Sequence, residues 1–342
     1  MDRVVEIGSW AAGYAGRLFA QAGCDVIRIE IDNVQPSYVS QASMDLYLHA
    51  NKRRIRTEDP KLIQSLVEKA NVVICEDTTS NGILDWGFND WQVPVKVAIT
   101  PFGLTGPHRN WSASQNTILA MGGYTNLMGD THREPLTLPG HYVDFQTGGY
   151  AYTAASACRF ADQANVIDIG MLEVIMSLSQ FTTVMWHCSR EVRSRHGNDF
   201  WSVVPTNMFE CKDGWVYINI VPAFWDAFTT FLDSPELVID ERFTSNALRM
   251  ENRDVLHELI AEKMLQWTRE EIQQKAEYTR IPIGAALTFE EVIDDPHLTE
   301  RNFWQEVTEN GNQSYRSPRP AYSIEDLRLD HLTLQRIEDG NG

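Results

Sequence analysis

The sequence predicts an α/β fold, with a Rossmann-like parallel sheet in a large domain and a smaller α+β domain after it. Three observations carry that reading. Residues 4–30, "VVEIGSWAAGYAGRLFAQAGCDVIRIE", read as strand, turn, helix and strand. Strand runs and amphipathic helices then alternate through residue 103, which favours a parallel sheet with right-handed crossovers. From about residue 196 the texture changes, and two β-type runs flank a "KDG" turn.

Taken in order, "VVEI" is a buried strand, "GSWAAG" a turn, "YAGRLFAQAG" a helix ended by Gly23, and "DVIRIE" the second strand. "DPKLIQSLVEKA" is an amphipathic helix feeding the strand "NVVICE". "VKVAITPFG" is a further strand running into the loop "GLTGPHRN". A helix is expected from Gly148 to Phe160, with Asp144 just ahead of it. "NVIDIG" then leads as a strand into one long apolar helix reaching about residue 195. The hairpin "DFWSVVPTNMFECKDGWVYINIV" opens the second domain, followed by helices at "PAFWDAFTTFLD", "ENRDVLHELIAEKMLQW" and "REEIQQKAE". The expected boundaries are 1–198 for the large domain, 199–290 for the small one, and 291–342 for a segment returning to the first.

The bulk numbers narrow the function. The chain has 342 residues, 43% hydrophobic and 22% charged, enough for two cores. A formal net charge of −18 argues against nucleic acid and anionic membrane partners. The five cysteines are scattered without a C-x-x-C pair, which fits reduced thiols and no metal. No signal peptide is evident, and no apolar run approaches the roughly 20 residues of a membrane span, so a cytoplasmic protein is expected.

A nicotinamide site is the first hypothesis such a βαβ unit invites, with Glu30 near where a ribose-binding acid would sit. The glycines do not fit it. Gly8-Ser9-Trp10-Ala11-Ala12-Gly13 puts Trp10 where only glycine leaves room for a pyrophosphate. Asp144, beside Gly148-Gly149 and a small-residue run, is the more informative acid. It reads either as a helix cap or as a nucleophile with backbone amides nearby.

Several stretches together resemble family III CoA-transferases, the group of formyl-CoA transferase, carnitine CoA-transferase and α-methylacyl-CoA racemase. They include "VVEIGSWAAGYAGRLFAQAGCDVIRIE", "HANKRRI", "AITPFGLTGPHRNWSA", "YVDFQTGGYAYTAASACRF", "NVIDIGMLEVIMSL", "DGWVYINIVPAFWDAFTTFLDSPE", "IPIGAALTFEEVIDDPHL" and "FWQEV". The resemblance runs collinearly over nearly the whole chain. It implies an interlocked homodimer, or a heterodimer with a paralogue, acting on an acyl-CoA and a carboxylic acid. It also implies that Asp144 is acylated by the thioester, with Gly148 and Gly149 supplying backbone for the oxyanions. CoA contacts are implied at Ala11, at Lys52-Arg53-Arg54 and at Asp77-Thr78.

Against that pattern, the sequence departs at its phosphate-binding positions. Ile31-Asp32-Asn33 follows Glu30, the "E-N-F" loop reads Glu76-Asp77-Thr78-Thr79-Ser80-Asn81, and Asp85 replaces an arginine. Carboxylates there repel phosphate. Lys52-Arg53-Arg54 reads equally as phosphate clamp or solvated charge run, while Lys96 and Arg109 read as surface cations. No glycine-rich loop occurs between 196 and 215. The racemase histidine is matched by Ser114-Gln115-Asn116, and His108 and His141 read as loop or packing residues. The aromatics of "AFWDAF", with Trp215 and Tyr217, read as core or as pocket lining. Alternatives to CoA transfer are the same fold turned to a non-CoA ligand, or a non-catalytic subunit.

Overall fold

The structure is a computed structural model that describes residues 2–31, 42–78, 82, 86–309, 313–322, 331–335 and 338–339. Seven parallel strands form the main sheet: β1 (Arg3–Ile7), β2 (Asp25–Glu30), β3 (Arg53–Arg56), β4 (Val72–Glu76), β5 (Val95–Thr100), β6 (Asn165–Gly170) and the two-residue strand Glu338–Asp339 at the β3 edge. Their order is β3-β2-β1-β4-β5-β6 inward from that edge strand, the doubly wound arrangement in which the chain reverses direction between β1 and β4.

Strand residues alternate between two covered faces, as a parallel sheet requires. Val4, Val26, Val72, Val95 and Val97 pack on one side with helix α1 (Trp10–Gln21). On the other, Val5, Ile7, Ile27, Ile29 and Val73 meet Ile63 and Val67, Phe88 and Trp91. Helix α2 (Ala42–His49) precedes β3, and α3 (Pro60–Val67) starts on Asp59, whose side chain accepts from the Lys61 amide. Two further helices, α4 (Gln115–Met121) and α5 (Tyr124–Leu127), lead to the 19-residue α6 (Tyr142–Phe160).

Two helices start earlier than their sequences suggest. The "GSWAAG" turn is only Gly8-Ser9, with Trp10 already helical, and α6 begins at Tyr142 rather than Gly148. Asp144 therefore lies inside the first turn of α6, and Gly148 lies within the helix. A Cβ on Gly148 would sit 2.6 Å from the Ala11 carbonyl oxygen and 3.0 Å from Tyr14 Cβ. This glycine is what lets α6 lie against α1. The expected long helix after β6 is also broken at Ser179, between Met171–Leu178 and Gln180–Ser189.

The chain divides into two compact units. One comprises 1–125, 137–192 and 296–342, and the other 126–136 and 193–295. These divisions fall within six residues of the expected 198/199 and 290/291, and residues 126–136 group with the second unit. In the second unit, Thr206–Cys211 and Gly214–Asn219 form the expected hairpin, joined by Ile283–Ala285. Of the "AFWDAF" aromatics, Trp225 and Phe228 pack in its core with Phe231, whereas Phe224, Trp215 and Tyr217 stay exposed. Among the described residues, no helix is long and apolar enough to cross a membrane.

The Gly148 contact gives a stability test. Gly148→Ala should lower the urea midpoint by an amount equivalent to about 1–3 kcal/mol, since backbone must move to admit the methyl. Gly149→Ala should raise it by about 0.5–1 kcal/mol, because nothing lies within 4 Å of its Cβ position and alanine favours the helix.

Candidate active site

The chain reversal between β1 and β4 opens a crevice at the carboxyl ends of those strands, where doubly wound sheets bind ligands. Gly8 leaves β1 at φ +139, and a Cβ there would lie 2.6 Å from Glu76 Cβ, so only glycine brings the two strand ends this close. The Ser9 side chain does not cap α1. Instead Glu76 Oε2, at the end of β4, accepts from the Ser9 amide at 3.0 Å and the Ala12 amide at 2.8 Å. A carboxyl group from another strand thus satisfies two of the amides at the start of this helix. Among the described residues, Glu76 Oε1 is buried without a partner. Burial, then the charge of Asp144, pushes the Glu76 carboxyl up to about 8.

The start of α6 completes the crevice. His141 occupies its N-cap position, with Asp144 one turn on. The His141 ring lies on the Trp10 indole, centroids 3.6 Å apart and planes at 22°. His141 Nδ1 is 3.1 Å from Asp144 Oδ2. The Asp144 side chain is 11% exposed and that of His141 31%, so the pair is sheltered yet reachable. Phe145 stacks on Tyr14 at 4.7 Å and approaches Tyr47, extending an aromatic wall from the pair. Because the Phe145 amide already bonds the His141 carbonyl, the donors of this helix end left free among the described residues are the amides of Tyr142, Val143 and Asp144.

The oxyanion role expected of Gly148 and Gly149 meets a helical backbone at both positions. Both lie beyond the first turn, where amides bond carbonyls four residues back within the helix. The expected phosphate cations are also committed elsewhere. Fully buried Lys52 donates to Glu6 Oε2 at 2.6 Å and to the Gly13 carbonyl at 2.8 Å. Buried Arg54 pairs with Glu30 at 3.0 Å and Asp45 at 2.7 Å, and Arg28 links Glu6 and Glu30 at 2.8 Å each. Arg53 forks onto Asp25 with Arg3, at the amino ends of β1–β3, the far edge from the crevice. The register explains the burial: Glu6 faces Arg28 and Arg28 faces Arg54 across three strands. Gly16 in α1 leaves room for the Glu6 and Lys52 side chains beneath it.

Ala11 is buried where α1 meets α6. Asp77 follows β4, buried beside Gly82, with Thr78 half-buried after it. Asp32, Asn33, Thr79, Ser80, Asn81 and Asp85 lie outside the described residues. Lys96 donates to the Phe88 and Asn89 carbonyls at 3.0 Å, while Arg109 is exposed in the loop after β5. His141, Trp10 and Glu76 were not singled out by sequence as site residues. The three-residue spacing of His141 and Asp144, which shares one helix face, was the available signal.

Two measurements check these assignments. Lys52→Ala should lower stability by about 3–5 kcal/mol in urea unfolding, because it leaves Glu6 short of a buried partner. Glu76 holds a proton in the folded state between its ordinary 4.5 and about 8. That stabilisation is complete below about pH 4.5 and is lost as pH rises through about 8. Glu76→Gln keeps an acceptor for the two amides, so it should flatten the fall in Tm between about pH 5 and pH 8.

Comparison with known proteins agrees with this architecture. The family model for CoA-transferase family III matches residues 2–332. The chain is 26% identical over 326 residues to the succinyl-CoA–D-citramalate CoA-transferase of Chloroflexus aurantiacus, covering 87% of this chain and 81% of that one. It is 25% identical over 330 residues to the succinyl-CoA–L-malate CoA-transferase alpha subunit of Chloroflexus aurantiacus, covering 87% and 76%. A CaiB/BaiF family protein from Brucella suis superposes with a TM-score of 0.82 at 24% identity, over 98% of this chain and 94% of that one. The strand order, the Asp144 helix start and the match along nearly the full chain lead to one conclusion: this chain belongs to CoA-transferase family III.

Proposed function

We propose that the protein moves CoA between small carboxylic acids through a covalent intermediate on Asp144. The observation that carries the reading is the position of that carboxylate, in the open first turn of α6 with free amides beside it, in a chain of this family. An Asp144 oxygen attacks the thioester carbonyl carbon of the donor. The new C–O bond forms as the C–S bond breaks, giving a mixed anhydride and the CoA thiolate. The thiolate attacks Asp144 Cγ, the donor acid leaves as its carboxylate, and an aspartyl-CoA thioester remains. The acceptor carboxylate then attacks Cγ, expelling the thiolate, which takes the acyl group from the second anhydride and frees Asp144. Dicarboxylic acids are the substrate class, by analogy with the relatives' succinyl-CoA donors.

The same reading makes the protein an interlocked homodimer, with a paralogue partner as the alternative suggested by the alpha-subunit relative. Support comes from apolar side chains left uncovered in the first unit: Phe160 is 96% exposed, and Phe181, Val184, Trp186 and Val192 are also exposed. Isolated chains rarely leave so many large apolar groups in water.

Incubation with succinyl-CoA, followed by hydroxylamine or borohydride and peptide mass spectrometry, should label Asp144. Asp144→Asn should lose the label and at least about 10³-fold in turnover with D-citramalate or L-malate as acceptor. Undiminished turnover in Asp144→Asn would overturn the reading.

A further inference from the structure

The two middle steps, thiolate attack on the first anhydride and acceptor attack on the aspartyl thioester, pass through Asp144 Cγ, and each drives negative charge onto the side-chain oxygen that is not bonded to the acyl group. Beside the first-turn amides of α6, that charge has one side chain already within hydrogen-bond reach, His141. Given the function proposed above, we propose that His141 is a catalytic residue. Its Nδ1–H would hold Asp144 Oδ2, leave Oδ1 as the attacking oxygen, and stabilise the oxyanion that develops on Oδ2.

The geometry supplies each part. An ionised carboxylate only accepts hydrogen bonds, so the 3.1 Å contact between His141 Nδ1 and Asp144 Oδ2 puts the proton on Nδ1. With Oδ2 held, Oδ1 is the oxygen available to the thioester. Once Oδ1 is acylated, Oδ2 becomes the carbonyl oxygen of the anhydride, already facing a donor. Thiolate attack on Cγ converts that carbonyl to an oxyanion on Oδ2, and collapse breaks the Cγ–Oδ1 bond, releasing the donor acid. The aspartyl thioester regains its C=O at Oδ2, against the same N–H, and the acceptor's attack repeats the sequence. No proton is transferred in any step, so a fixed donor suffices and a general base is not needed.

Trp10 makes the donor a fixed one. The near-parallel stack at 3.6 Å sets the imidazole plane, and the seating of α1 on Glu76 sets Trp10. The alternative role, a helix-capping histidine, is not what the ring does: its side chain makes no cap hydrogen bond to the α6 amides.

Two substitutions separate donor from scaffold. His141→Phe keeps an aromatic ring for Trp10 and removes the N–H. His141→Asn keeps an N–H near the Nδ1 position. The readout is quenched single-turnover formation of protein-bound CoA from succinyl-CoA, which needs no acceptor, with fold checked by thermal melts. His141→Phe should slow this step about 100-fold with half-saturating succinyl-CoA changed less than about threefold. His141→Asn should recover most of the rate. A His141→Phe rate within about threefold of wild type, or a His141→Asn rate as low as that of His141→Phe, overturns the assignment. Asp144→Asn, run alongside, tells which idea failed. If it is inactive while His141→Phe is not, only the histidine's role falls. If it too forms bound CoA, the covalent mechanism falls first.

Discussion

The seating of helix α1 rests on a single carboxyl group. Glu76, at the end of β4, accepts the amides of Ser9 and Ala12 and so closes a contact between two strand ends that Gly8 makes sterically possible. The location of Trp10 follows from it, and His141 lies on Trp10. Gly148 then brings α6 against α1, which fixes the direction in which Asp144 points. Take away any of these and Asp144 no longer has a defined place. Glu76 itself sits in an unfavourable position for a charge, buried and near a second carboxylate, and its raised pKa records that tension.

Much of this was legible in the residues. The runs "VVEI", "DVIRIE", "NVVICE", "VKVAIT" and "NVIDIG" became β1, β2, β4, β5 and β6, because continuous β-branched runs bounded by turns have few other solutions. Asp144 stood out because an acid beside small residues is rarely wanted for packing alone. The helix starts were misplaced for one reason: each is stabilised from outside its own segment. Glu76 caps α1 from 64 residues away in sequence, and Gly148 of α6 answers to α1 rather than to its own helix. Local propensity cannot report such partners.

Lys52-Arg53-Arg54 shows the same limit for charge. Three consecutive basic residues look alike in a sequence, yet their fates differ completely. The strand period sends Arg53 to the amino edge and turns Arg54 inward beside Arg28, while Lys52 ends under α1. Phosphate binding is thus deprived of cations that composition alone would have offered it. His49, in the same layer, is held well below its ordinary pKa by burial and by Arg28 and Lys52, so it stays neutral there.

That buried layer constrains which single substitutions the fold can accept. Glu6, Glu30 and Asp45 are matched by Arg28, Lys52 and Arg54, three charges of each sign sharing ligands across β1, β2, α2 and the entry to β3. Because Glu6 serves two cations and Glu30 two, replacing one member unbalances its neighbours as well. The six positions are energetically coupled, so a change at one leaves a buried charge short of its partner unless others change with it.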